Sequence, residues 1–128
     1  MRQIFGHHDG HGLTEAITIL ADEAGPGGAS HAYTVYVQTA RSKPEHHGEQ
    51  VASIQYQRGP RNEEGSTPGV LDSVLLAIVA DRMRSFANGP YACHENERVL
   101  SRVEDALFWL KHRADERAAR GVLGKNIK

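Results

Sequence analysis

Two apolar patterns of helical period, set on either side of Ala87-Asn88-Gly89-Pro90, constrain the fold of this chain more than any other feature. In the first, Leu71, Val74, Leu75, Ile78, Val79 and Met83 recur at the three- and four-residue spacing that puts side chains on one helix face. In the second, Val99, Leu100, Val103, Leu107 and Leu110 do the same. Gly89 suits a C-terminal cap and Pro90 resists continuation, so the chain turns there and the two helices form a hairpin. Ser66 and Thr67 are capping residues for the first helix, and Pro68 suits its first turn. The second helix is expected from about Cys93 to Arg120, closed by Gly121. Glu95 and Glu97 in its first turn and Arg113, Arg117 and Arg120 toward its end follow the sign of the helix dipole.

The preceding half obeys a period of two. "AITILAD" (Ala16 to Asp22) places Ile17, Ile19 and Ala21 on one face. "HAYTVYVQT" (His31 to Thr39) alternates Tyr33, Val35 and Val37 with Thr34, Tyr36 and Gln38. "QVASIQYQ" (Gln50 to Gln57) alternates again. The turn clusters "GPGGAS" and "RSKPEHHG" separate these runs, which predicts three strands in a small antiparallel sheet. "RGPRNEEGSTPG" (Arg58 to Gly69) is a polar link. The expected fold is therefore α+β: a β-rich part over 1–64, a helical hairpin over 65–121 and a tail, 122–128, without a pattern. A chain of 128 residues suits one domain with a modest core.

Lys and Arg number 15 against 16 Asp and Glu, so no global charge draws the chain to nucleic acid or to an anionic membrane. No basic recognition helix is present, which argues against DNA. The single cysteine, Cys93, allows no intrachain disulfide and fits a reducing compartment. No 18-residue apolar run exists, and "MRQIFGHHDGHG" lacks the apolar centre of a signal peptide. These features predict a soluble cytoplasmic protein.

Few residues point to catalysis. "HHDGH" (His7 to His11) gathers three imidazoles, His7, His8 and His11, with Asp9, but a Gly-rich loop does not fix tetrahedral geometry by itself, and no metal is expected. Cys93 stands at a helix start, where a thiolate would be stabilised, yet its neighbour His94 points elsewhere, and a buried, inert thiol is expected. There is no nucleophile elbow and no Walker loop, and no cofactor is implied. Phe86 and Tyr91 flank the interhelical turn and Asn96 follows it. Arg113 and Arg117, four residues apart, share a helix face, where two guanidiniums suit a phosphate or diphosphate. Asp115 and Glu116 lie between them, so a solvated charged face is the alternative.

The stretch "LLAIVADRMRSFANGPYACHENERVLSRVEDALFWLKHRADERAARGVLG", roughly residues 74–124, resembles the C-terminal half of the first anti-Thoeris family of phage sponge proteins. The resemblance rests on "LLAIVADR", the turn Phe-x-Asn-Gly-Pro-aromatic, "EN", and Arg-x3-Arg-x2-Arg-Gly-Val-x-Gly. The β-rich half is similar only in outline. The resemblance implies no catalysis. Proteins of this family hold glycocyclic ADP-ribose signals of Thoeris immunity intact in the cytoplasm of the infected bacterial host. Some also bind cyclic trinucleotides of CBASS at a separate site, and they assemble as hexamers built from dimers. It further implies that Phe86 stacks on adenine, that Asn96 gives polar recognition and that Arg113 and Arg117 take the diphosphate. Tyr91 is a lesser ligand candidate. His94 departs from the Arg or Lys usual in the family, which bears on ligand preference. Arg58 and Arg61 in the polar link are candidates for a second, trinucleotide site.

Helix geometry adds a constraint. Asn96 and Arg113, 17 positions apart on one helix, are separated by ~25 Å at ~1.5 Å per residue. A compact cyclic nucleotide touching both would take them from different chains, across a two-fold axis. Phe108 and Trp109, beside the apolar stripe, would widen such an interface. Two other readings stand beside the sponge: an enzyme that degrades the signal, and a plain helix-hairpin interaction module. The absence of paired His-x-Thr or metal-phosphodiesterase motifs favours the sponge over the enzyme.

Overall fold

The alternation in the first half folds as a four-stranded antiparallel meander in the computed structural model, which describes residues 1–61 and 63–128. The strands are β1 (Arg2–Ile4), β2 (Ile17–Ala21), β3 (Ala32–Val37) and β4 (Glu49–Gln55), in that spatial order. β2, β3 and β4 are the three expected strands. β1 is a fourth that the sequence reading lacked. Three residues carry no period, and β1 is specified by its partner: Arg2, Gln3 and Ile4 pair with Ala21, Leu20 and Ile19. One row crosses the whole sheet, Ile4 to Ile19 to Val35 to Ala52, so the apolar phases of all four strands agree. A bulge beside Val35 and Tyr36 shifts the register, so that Val51 has no partner across the ladder and is 58% exposed.

The helices match the expected hairpin, α1 (Asp72–Ala87) and α2 (His94–Ala119), although their starts differ from the sequence reading. Ser66 and Thr67 do not cap α1. Thr67 instead pairs with Arg58, exchanging N–H···O bonds of 2.9 and 2.8 Å, and the cap position falls to Leu71, which gives no side-chain bond. A long-range pairing thus outcompetes a local capping signal. α2 is capped by Cys93, whose Sγ accepts the Asn96 N–H at 3.4 Å. That position is exposed, which corrects the expectation of a buried thiol. At its other end, Gly121 (φ 71) donates to Ala118 O at 3.0 Å and Val122 N–H to Arg117 O at 3.0 Å. This pair of bonds is a Schellman motif, and glycine is the residue that enters its left-handed position without strain.

The chain divides into two compact units. One comprises Met1–Gly59 with Gly65–Gly69, and contains the sheet; the other comprises Pro60–Glu64 with Val70–Lys128, and contains the hairpin. Neither holds a fully buried large side chain. The only fully buried apolar residues among those described are Ala21 and Ala80. In the hairpin, Val74 is 44%, Ile78 55% and Val99 41% exposed, so the helical stripes read from sequence are real but partly open.

One loop position carries a stability prediction. Gly48 (φ 104) precedes β4, and a Cβ there would run into the backbone of Val37. Gly48→Ala therefore combines left-handed strain with a clash against backbone that cannot rotate away. It should lower unfolding stability by roughly 3 kcal/mol, seen as a lower urea midpoint at unchanged slope.

Candidate functional site

The residues singled out at the turn lie where the two helices meet. Phe86, in the last turn of α1, is half-buried, and the Arg82 guanidinium lies over its ring at 5.4 Å from the centroid. Such a contact holds the ring while leaving its other face unspecified. Tyr91 is 79% exposed and closes nothing. Asn96, in the first turn of α2, is half-buried, and its side-chain amide makes no hydrogen bond among the described residues. His94 is exposed at the helix start.

At the far end of α2 the two arginines differ sharply. Arg113 is exposed and has no ion pair among the described residues. Arg117 is 9% exposed, and its Nη2 donates to Val122 O at 3.1 Å and Lys125 O at 2.9 Å. The carboxylates between them are engaged elsewhere. Asp115 pairs with Lys111 at 2.6 Å and Glu116 with Arg120, each one helical turn away. Two arginines one helical turn apart thus have neutral or no partners among the described residues, one of them largely removed from water. Buried charge without a counter-charge is costly, and an arriving anion would relieve it. The arrangement offers charge-assisted donors for a phosphate.

The continuity of α2 fixes the distance between the two ends. Asn96 and Arg113 lie on one uninterrupted helix, ~25 Å apart along its axis. The chain does not bring Phe86 and Asn96 together with Arg113 and Arg117. Phe108 and Trp109 are each 59% exposed and lie on the outer face of α2, away from the half-buried stripe rather than beside it. They cluster with His112, at 6.4 Å from Phe108 and 5.4 Å from Trp109 between ring centroids. Sequence reasoning missed Arg82, whose i,i+4 spacing to Phe86 was the available signal.

Elsewhere, Arg58 lies in the sheet unit, 3.8 Å from Asp22. The Asp22 carboxyl is held below its usual range by the His31 N–H first, then by Ala32 N–H and the Arg58 charge. Arg61, in the helical unit, is exposed. The loop carrying His7, His8 and His11 folds around Glu15. Desolvation pushes the Glu15 carboxyl up, but donors from Gly10, Thr14 and Gly12 outweigh it and hold it below the usual range. That loop therefore supplies its own anion. Among the described residues no three or more His, Cys, Asp or Glu side chains gather in a metal-holding group. None of the helices is long and apolar enough to cross a membrane.

Over 78 residues the chain is 38% identical to Thoeris anti-defense 1 of Bacillus phage SBSphiJ7, a match covering 61% of this chain and 54% of that protein. The chain thus matches about half the length of this relative. No protein-family model matches.

Proposed function

We propose that this protein is a phage anti-defence sponge that binds a glycocyclic ADP-ribose signal of Thoeris immunity in the host cytoplasm and holds it unchanged. The observation that carries the reading is the uncompensated pair Arg113 and Arg117, whose intervening carboxylates are occupied by Lys111 and Arg120. Among the described residues no carboxylate pairs with these two cations, and a diphosphate has the charge and the acceptors to do so. Phe86 supplies a ring for adenine, and stacking contributes ~1–3 kcal/mol per base. Asn96 has a free amide for a polar edge. The likeness to an anti-defence protein supports the same conclusion.

The sponge is further proposed to act as an oligomer, a hexamer built from dimers, with each pocket shared between two chains. The separation of Asn96 from Arg113 favours sharing. So does the open core: with Ile78 at 55% and Trp109 at 59% exposure, this chain leaves apolar surface that a second copy would cover. Arg58 and Arg61, each taken within its own unit, are the candidates for cyclic-trinucleotide contact in the same proposal. Arg61 is the freer of the two, since Arg58 already faces Asp22.

Calorimetry against a panel of glycocyclic ADP-ribose isomers and cyclic trinucleotides tests the reading, coupled to recovery of ligand after heat denaturation. Tight binding with quantitative return of intact ligand is expected. Conversion of the ligand would make the protein a degrading enzyme, and the absence of binding to every isomer would remove the sponge. Light scattering at micromolar concentration should show an assembly larger than a monomer.

A further inference from the structure

We infer that the turn after α2, residues 121–125, is a positioning element of the anion site: Gly121 acts through Arg117 by fixing where its guanidinium points. This rests on the sponge reading for the identity of the anion, but the positioning itself is a property of the free protein.

The turn and the side chain close on each other. Arg117 O accepts from Val122 N–H at 3.0 Å, while Val122 O accepts from Arg117 Nη2 at 3.1 Å. Lys125 O takes a second bond from the same nitrogen at 2.9 Å, and Lys125 N–H is itself held by Val122 O at 3.0 Å. A long flexible side chain is thereby pinned at its tip by two carbonyls that belong to one short turn. The guanidinium has five N–H donors. The two on Nη2 are spent on the turn, and the donors of Nε and Nη1 meet no acceptor among the described residues. The carbonyls remove no charge, so the guanidinium stays cationic and oriented, with Nε and Nη1 free of protein acceptors, one helical turn from the exposed Arg113. A site whose donors are held before the ligand arrives loses less conformational freedom on binding.

The whole device depends on one backbone conformation. Gly121 sits at φ 71, and a Cβ added there would touch nothing within 4 Å. The added Cβ itself therefore meets no clash, and a replacement acts first through φ. Valine, branched at Cβ, strongly resists the left-handed region, whereas asparagine tolerates it. The pair separates geometry from bulk. Because Gly121 lies after the last residue of α2, neither substitution removes a packed side chain.

The test uses the full-length chain as wild type, Gly121→Val and Gly121→Asn, with the glycocyclic ADP-ribose isomer that the wild type binds in the panel, and inorganic pyrophosphate as a second probe. Two readouts are taken. The first is the pair of Arg117 Nη2–H resonances, assigned by their loss in Arg117→Lys, whose exchange with water reports whether the guanidinium is pinned without any ligand. The second is affinity. Slow exchange is expected in the wild type and Gly121→Asn and fast exchange in Gly121→Val. Affinity should fall at least ~tenfold in Gly121→Val and stay within about threefold of wild type in Gly121→Asn, with melting temperatures of all three alike. Equal affinity in Gly121→Val with fast exchange would overturn the positioning role. Slow exchange in Gly121→Val would overturn the claim that Gly121 controls the guanidinium. A wild type that binds neither probe yet shows the slow resonance would sink the sponge reading and leave the turn as a purely structural clamp, which also overturns the inference.

Discussion

Arg117→Ala is expected to weaken ligand binding by a hundredfold or more and to loosen the end of α2, whereas Arg113→Ala should weaken binding by ten- to a hundredfold and leave stability almost untouched. The difference follows from their surroundings. Arg117 is 9% exposed and makes two bonds to Val122 and Lys125 carbonyls. Hydrogen bonds from a charged donor contribute ~1.5–3 kcal/mol each, so losing both frees the following turn, with Val122 O keeping only the Lys125 N–H. That loss is local, since Arg117 stands two residues before the last residue of the helix, and it should register as faster amide exchange over 121–128 more than as a lower global midpoint. Arg113 is exposed and has no ion pair among the described residues, so its removal should change stability by under ~0.5 kcal/mol. Both would lose a charge-assisted bond to the diphosphate, and each ~1.4 kcal/mol is tenfold in affinity. Calorimetry and amide exchange on the two variants decide the matter. Unchanged binding in Arg113→Ala would mean that the phosphate-site assignment of Arg113 is wrong, and unchanged binding in Arg117→Ala with faster exchange over 121–128 would mean that Arg117 serves the fold alone.

That contrast could not be drawn from the sequence. Arg113 and Arg117 are equivalent there, two arginines one turn apart followed by "RGVLG". What distinguishes them is the return of residues 122–125 onto one and not the other, and a tail without periodicity gives no sign of where it goes. The same physics explains the other gaps. β1 is specified by pairing with Ala21, Leu20 and Ile19 rather than by any pattern in Arg2–Ile4. Ser66 and Thr67 carry good capping chemistry, but the Arg58–Thr67 bridge takes Thr67 into the sheet unit. Cys93 occupies its cap with an extended backbone, and its side chain turns to the Asn96 N–H at the exposed start of the helix rather than into a core. Where local periodicity and burial agree, as in Ile17, Ile19, Val35 and the stripe Leu100, Val103 and Leu107, the fold was legible. Apolar spacing told which side of a helix is apolar, but not that Val74 and Ile78 would remain open to a further partner.

A mixture of two defective proteins should regain binding that neither shows alone. Asn96 and Arg113 sit ~25 Å apart on one straight helix, and a rotation of 17 residues also turns them onto different faces. One compact ligand touching both therefore draws them from two chains. Prepare Asn96→Ala and Arg113→Ala separately, each a weak binder, then unfold and refold them together in equal amounts. In a mixed dimer with an isologous interface, one pocket combines both defects and the other combines the wild-type Asn96 of one chain with the wild-type Arg113 of its partner. If chains reassort at random, half of the dimers are mixed and half of their pockets are intact. About a quarter of all pockets should then bind with wild-type affinity. Calorimetric stoichiometry reads this directly, because restored sites appear as a tight fraction separate from the weak ones. Each variant refolded by itself provides the baseline. A pocket built within one chain would keep a defect in every copy, the tight fraction would be zero, and the shared-pocket arrangement would have to be abandoned even if both variants lost affinity as expected.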